Sequence, residues 1–402
     1  MELQGACEHI AALAHFSKAH GIGGNIKSIP EDFVVNEIAP NGSIITLDTE
    51  LRYEEDGDFS IFVLEKKNWD TSGAIAAIAK KAGVSPKRFS FAGTKDRVAI
   101  TTQLISAYKL TELPAIKDIK TRFIGQAKKK IEMGELLGNK FIIRITGADK
   151  NAEETVKKIW GELGGLIPNY FGIQRFGSVR GNTHLIGKHI VKNDFESAVL
   201  SYLTWVGSET NEEAVAARTM LAEKQDYKEA LKNFPKHLKY ERAMLTHLAK
   251  HPRDYVNAMR RIPRSIALMF VHAYQAYLFN LILSKRIKEG FEIEKGDLAC
   301  GKNFYGFPDE NVKGEDFILG NVIGYQSELT EAEKELLEEE GIKKEDFKIR
   351  SYPELSSKGT KRALLVPVKD FAFHGNTFLF SLPAGSYATS LLREFMDKKV
   401  NP

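Results

Sequence analysis

Seven consecutive residues, Phe91-Ala92-Gly93-Thr94-Lys95-Asp96-Arg97, place one carboxylate between two cations on a glycine-containing turn. Positive surroundings suit an acid serving as nucleophile or general base, presented by the end of a strand. The same residues describe an ordinary β-turn in which Asp96 bonds nearby backbone amides, and spacing alone does not separate the two. A second cluster is Pro168-Asn169-Tyr170-Phe171-Gly172-Ile173-Gln174-Arg175-Phe176-Gly177. Its glycines admit backbone close to a ligand, and its aromatics offer stacking faces for unpaired bases. A core turn accounts for Tyr170 or Phe176 but poorly for Asn169, Gln174 and Arg175. A third, Leu382-Pro383-Ala384-Gly385-Ser386-Tyr387, offers either N–H groups that hold an anion or a plain helix cap at Ser386.

These groups need elements to hold them. Phe33–Ile38 and Phe59–Leu64 read as strands, the second ending in the polar Glu65-Lys66-Lys67. Asp70 or Thr71 caps a helix through Ala82, stopped by Gly83 and Pro86. The run Phe89–Ala92 leads into the Asp96 turn, and Val98–Ser106 resumes β character. Lys140–Thr146 alternates as a strand with one wet face, and Asn151–Leu163 is helical. From about Asn193 to Glu289 the pattern is helical, with His272, Tyr274, Gln275 and Tyr277 on an apolar helix, where the Tyr and Gln residues are read as core-facing polar anchors rather than ligands. Thr330-Glu331-Ala332-Glu333 is a capping box whose helix ends at Gly341. Strands return at Ala363–Val368 and Thr377–Leu382, before a last helix carrying Tyr387–Met396. The order β-rich, α-rich, β-rich suggests an inserted domain.

A chain of 402 residues with 43% hydrophobic and 27% charged side chains is globular and long enough for two or three units. Its two cysteines, Cys7 and Cys300, suggest a reducing compartment and form no zinc pattern. The start Met1-Glu2-Leu3 shows no secretory signal, and Ser265–Leu283 carries His272, Gln275 and Asn280, so a buried helix is expected rather than a membrane span. The ten histidines lack metal-ligand spacing, and no phosphate-loop or dinucleotide fingerprint occurs. Net charge is only +4, but Lys80–Lys150 holds 16 basic against 6 acidic residues, including Lys128-Lys129-Lys130. That stretch is either a polyanion-binding surface or a solvated loop.

Taken together, the motifs resemble the TruD family of tRNA pseudouridine synthases. The resemblance rests on Ile29-Pro30-Glu31-Asp32-Phe33, Ala92–Arg97 with Thr101-Thr102-Gln103, Asn169–Gly177, Ala273–Asn280 and Leu382–Arg393, five blocks spanning nearly the whole chain. It implies an α+β fold: a pseudouridine-synthase catalytic domain with a mixed, largely antiparallel sheet and helices, over 1–180 plus 359–402, carrying an inserted α-rich TRUD domain over 181–358. It implies Asp96 as the catalytic aspartate, Lys27 beside it, Phe171 packing on the target base, and Asn169 shaping the pocket. Gln174 and Arg97 complete the expected base- and pocket-binding set, Arg97 orienting a phosphate or the aspartate. Ile173 departs from a position the family often fills with a polar residue.

The implied activity is isomerisation of uridine to pseudouridine, at position 13 of tRNA, in the cytoplasm, with no metal, cofactor, membrane or obligatory protein partner. The N-glycosidic bond must break, the uracil rotate, and a carbon–carbon bond form. The base must leave its stack at a cost of a few kcal/mol, which phosphate contacts from Lys80–Lys150 would offset. Asp96 either attacks the anomeric carbon or takes a proton from carbon 2′. A non-catalytic RNA-binding protein is the competing reading, against which the intact Asp96 argues; pseudouridine synthesis on other RNAs is a third.

Overall fold

The computed structural model describes residues 9, 13–177 and 179–397, so Cys7 lies outside the described residues. The chain divides into two compact units. One comprises Met1–His15, Tyr170–Cys300 and Phe317–Leu364; the other comprises Phe16–Asn169, Gly301–Asp316 and Leu365–Pro402.

The second unit is built on a nine-stranded sheet. Its strands are β1 (Phe33–Ile38), β2 (Tyr53–Glu54), β3 (Phe59–Lys67), β4 (Phe89–Phe91), β5 (Ile100–Tyr108), β6 (Ile119–Ala127) and β7 (Gly138–Arg144). A short β8 (Leu166–Pro168), β9 (Leu298–Lys302), β10 (Pro308–Asp309), β11 (Phe317–Val322), β12 (Thr360–Ala363) and β13 (Leu365–Pro367) follow, then β14 (Lys369–His374) and β15 (Thr377–Pro383). The sheet order is β14-β15-β7-β1-β5-β3-β6-β2, with β4 also paired to β5. Pairs β1·β5 and β2·β6 are parallel. Pairs such as β1·β7, β3·β5 and β7·β15 are antiparallel. The sheet is therefore mixed and mainly antiparallel.

Helix α1 (Thr71–Ala82) starts at Asp70, whose side chain accepts from the Gly73 amide, and ends at Gly83 in the left-handed region. Its Ile75 and Ile78 pack on Phe62 and Leu64 of β3. The polar Glu65-Lys66-Lys67, expected to end this strand, continues it. The two-residue period places Lys66 on the same face as Phe62 and Leu64, and it is fully buried. Helix α2 (Ala152–Leu163) follows β7 in the chain.

The first unit is helical: α3 (Thr183–Val191), α4 (Phe195–Thr204), α5 (Glu212–Lys224), α6 (Tyr227–Asn233), α7 (Lys239–Leu248), α8 (Tyr255–Met259), α9 (Arg264–Glu289) and α10 (Glu331–Glu340). Here β11 pairs with the start of β9 and with β12. Helix formation begins ten residues before the expected Asn193. Gly187 weakens the helical signal of α3, yet a Cβ there would lie 2.0 Å from the Phe270 carbonyl oxygen, so its bare backbone is what lets α3 approach α9. By length and composition α9 could cross a membrane. Its Val271, Tyr274, Leu278 and Leu283 are instead completely buried in this unit's core. Tyr274 donates to Glu340 at 2.9 Å, and Gln275 donates to the Ile323 carbonyl at 2.6 Å, both as core anchors. The box at Thr330 and Glu333 caps α10, which Gly341 ends.

The closing helix, α11 (Ala388–Met396), belongs to the second unit, and its cap position is Tyr387 rather than Ser386. Ser386 is otherwise engaged: its hydroxyl donates to Asn169 Oδ1 at 2.9 Å.

Candidate active site

Asp96 lies on the loop joining β4 to β5, and its surroundings show how the chain presents a carboxylate. Lys27 Nζ donates to Asp96 Oδ2 at 2.5 Å, with side-chain exposures of 21% and 45%. The lysine is sheltered while the acid stays accessible. An ion pair this open contributes only about 0–1 kcal/mol to stability. Lys27 is held in the left-handed region at φ 57°, a conformation that costs a side chain-bearing residue energy. Its ammonium also sits 4.2 Å from the centre of the Phe33 ring, a cation–π contact that orients it.

Sequence flanks Asp96 with two cations; the fold uses neither as its partner. Lys95 turns inward and pairs with Glu37 at 2.8 Å, both side chains at least 94% buried. Glu37 also accepts from the Leu104 amide at 3.1 Å. Arg97 is exposed and, among the described residues, makes no ion pair with Asp96.

The loop backbone is fastened from below. Thr71 Oγ1 accepts from the Lys95 amide and donates to Gln103 Oε1, while Gln103 Nε2 donates to the Gly93 carbonyl. Lys66 Nζ donates to the carbonyls of Asp96 at 3.0 Å, Lys95 at 3.4 Å and Trp69. Burial pushes the Lys66 ammonium down to about 8, against the opposing pull of Asp70 and Asp96. Lys66 and Glu37 were not legible as site residues, since a lysine in a polar run reads as solvated and an acid at a strand end reads as surface.

The other expected residues divide between the units at the block itself, which crosses the boundary after Asn169. Asn169 is buried in the second unit, against Ser386. In the first unit Phe171 is only 6% exposed. Asn280 grips its peptide from both sides: Asn280 Oδ1 accepts from the Phe171 amide at 2.8 Å, and Nδ2 donates to its carbonyl at 3.0 Å. Arg362, absent from every motif, lies over the Phe171 ring at 4.1 Å from its centre, and Arg175 lies at 5.3 Å. Gln174 is exposed. Gly177 has φ 89°, and a Cβ there would meet Thr183 Oγ1 at 2.8 Å, so a glycine ends this block for steric reasons. Among the described residues, no group of three or more His, Cys, Asp or Glu side chains could hold a metal ion.

The family model described as tRNA pseudouridine synthase D (TruD) matches residues 10–395. The chain belongs to the tRNA pseudouridine synthase D family.

A relative from Methanosarcina acetivorans, named "Probable tRNA pseudouridine synthase D", is 36% identical over 100% of this chain and 98% of its own. One of the same name from Methanopyrus kandleri is 42% identical over 85% and 86%. A crystal structure of the protein described as TruD from Methanosarcina mazei superposes with a TM-score of 0.79 at 36% identity, covering 100% of this chain and 99% of that one. The α+β architecture expected from the motifs is thus the TruD fold. The family isomerises uridine to pseudouridine in tRNA, and that is the activity of this chain.

Proposed function

We propose that this TruD-family enzyme acts at position 13 of tRNA, in the cytoplasm, with Asp96 as the carboxylate that reacts at the ribose of a flipped-out uridine. The observation that carries the reading is the asymmetry at Asp96. Its carboxylate is accessible and held at 2.5 Å by the sheltered Lys27, while its own carbonyl is tied to the buried Lys66. A turn residue with a merely local role needs neither partner.

In this reading Lys27 supplies the positive charge that keeps Asp96 aimed, and Asp96 acts at the anomeric carbon or at carbon 2′. Phe171 is the aromatic group for the uracil, which meets a ring that Arg362 already covers on one side. Asn169 and Gln174 serve the base pocket, and Arg97, exposed to solvent, serves the RNA backbone. The expected insertion over 181–358 stays part of this reading as a domain boundary; the helical unit overlaps it over 181–300 and 317–358.

Pseudouridine in tRNA is measured after incubation with wild type and with Asp96→Asn. The isostere removes the charge with little change of shape, so product should fall to background. Equal product from both proteins overturns the role of Asp96. Mapping the modified nucleotide in tRNA tests position 13, and modification only elsewhere rejects that substrate assignment.

A further inference from the structure

Positive charge is compensated in one place on this chain and left bare in another. In the second unit Lys128, Lys129 and Lys130 line a cavity together with Glu37, Glu54, Glu55 and Glu135, so the densest basic run of the sequence is neutralised locally. In the first unit the stretch 250–264 runs from the end of α7 across α8 to the start of α9. It carries Lys250, Arg253, Arg260, Arg261 and Arg264 against the single acid Asp254. Five cations and one anion give +4, the formal charge of the whole chain, so all other residues together sum to zero.

All five cations are exposed, and among the described residues none pairs with a carboxylate. Asp254 is occupied elsewhere, by the Asn257 amide and side chain and by His247 Nε2 at 2.9 Å. The surface is also shaped. Arg261 donates to His247 Nδ1 at 2.9 Å, which puts the ring proton on Nε2, toward Asp254. One buried imidazole thereby fastens both ends of α8 to α7. Arg260 lies 4.8 Å from the centre of the Tyr352 ring and donates to the Ser351 carbonyl at 3.3 Å. Arg264 Nε donates to the Glu354 carbonyl at 3.3 Å. Carbonyls, a ring and an imidazole fix the direction of these side chains and cancel none of their charge. The segment 350–354 that receives them adds Arg350 and Glu354, both exposed, and leaves the balance unchanged. A face that only keeps a protein dissolved needs no such fixing, and interspersed acids serve it with less repulsion.

We propose that this face of the helical unit binds the phosphate backbone of the RNA, holding tRNA by charge without reading its bases. The proposal rests on the tRNA-modifying reading for the identity of the polyanion and adds to it a docking surface. Four of the five cations are arginines, whose forks take phosphate oxygens two at a time. An acidic polypeptide is the competing occupant, and the experiment separates the two.

Fluorescence anisotropy of labelled tRNA is measured across a salt series on the full chain. Lys250 and Arg253 have no ion pair or side-chain hydrogen bond among the described residues, so Lys250→Gln with Arg253→Gln removes charge without touching the fold. Each phosphate contact contributes close to one unit to the slope of log K against log salt. The slope should therefore fall by about two, and binding at about 0.1 M salt should weaken about thirtyfold. Arg260→Gln with Arg264→Gln should act alike. As a control, Lys224→Gln with Lys334→Gln removes the same charge from cations already paired with Glu229 and Glu331, and should leave the slope in place. An unchanged slope in the Lys250 and Arg253 pair overturns the proposal, and so does an equal fall in the control. In a parallel arm the same proteins are titrated with labelled polyglutamate. Loss of polyglutamate binding in that pair with an unchanged tRNA slope assigns the face to an acidic polypeptide and rejects the RNA. In turnover assays KM for tRNA should rise in the pair while kcat at saturation holds. A wild type that forms no pseudouridine sinks the functional reading separately, since anisotropy reads only binding.

Discussion

Lys66 and Asp96 are joined through the main chain: the buried ammonium donates to the Asp96 carbonyl at 3.0 Å while the Asp96 carboxylate faces the other way, to Lys27. One residue thus has its backbone and its side chain held by two different cations. Lys66 governs where the carboxylate sits, Lys27 where it points.

Replacing Lys66 by Met removes the donor to three carbonyls and frees the loop. A displacement of about 1 Å at a reacting group costs on the order of 10²-fold in rate, and kcat/KM of Lys66→Met should fall by about that factor. The pH dependence has a defined sign. Burial lowers the Lys66 pKa from 10.5 to about 8, with Asp70 and Asp96 opposing the fall and Lys95 assisting it. Below about 8 the folded protein bears the full cost of the buried charge. Between about 8 and 10.5 only the unfolded chain holds the proton, so this group's contribution to stability rises with pH. Activity should move the opposite way, because a neutral amine has two N–H groups for three carbonyls. The wild-type profile of kcat/KM is expected to show an alkaline limb near pH 8 that Lys66→Met lacks; an identical limb in both would reject the role.

Lys27→Gly separates geometry from charge. Glycine adopts φ 57° without the left-handed penalty but adds unfolded-state entropy, two effects of about 1 kcal/mol that oppose each other. The melting temperature should therefore move little. Loss of the ammonium that aims the Asp96 carboxylate should misplace the reacting group and lower kcat/KM about ten- to a hundredfold. Calorimetry and turnover on the same preparation check both expectations.

The buried pair makes the contrast. Glu37→Gln leaves the Lys95 charge in a site where both side chains are nearly inaccessible, and should destabilise by about 3–5 kcal/mol. Adding Lys95→Met should recover part of the loss, giving a coupling energy in a double-mutant cycle by urea unfolding. Lys27→Met, by comparison, should change stability by no more than about 1 kcal/mol.

Asn280 supports Phe171 through two reciprocal bonds to its peptide. Asn280→Leu preserves approximate volume but strands a buried N–H and a buried C=O. About 2–5 kcal/mol of stability should be lost, read as a lower urea midpoint, whereas an unchanged midpoint would mean the peptide finds other partners.

Much of the framework was legible because local rules and tertiary demands agree there. The strand Phe33–Ile38, the helix from Asp70 to Gly83 and the capping box at Thr330 announce themselves through alternation and caps. Strand β6 was missed because Lys120, Thr121, Arg122 and Gln126 break its apolar run, and its pairing to β3 carries a register irregularity. The charge reading was incomplete for a related reason: composition counts charges along the chain, whereas neutralisation depends on acids brought in from Glu37, Glu54 and Glu55.

By itself the sequence determined the reactive candidate, Asp96, and through its ordered motifs the family and fold class. Only the tertiary structure decided which cations serve that acid. Lys95 and Arg97 are its neighbours in the chain, but strand alternation turns Lys66 beneath the loop, and a left-handed backbone brings Lys27 to the carboxylate. Covalent adjacency limits which residues lie close together, while side-chain direction is set by pleat, burial and backbone dihedral, and those are properties of the folded chain.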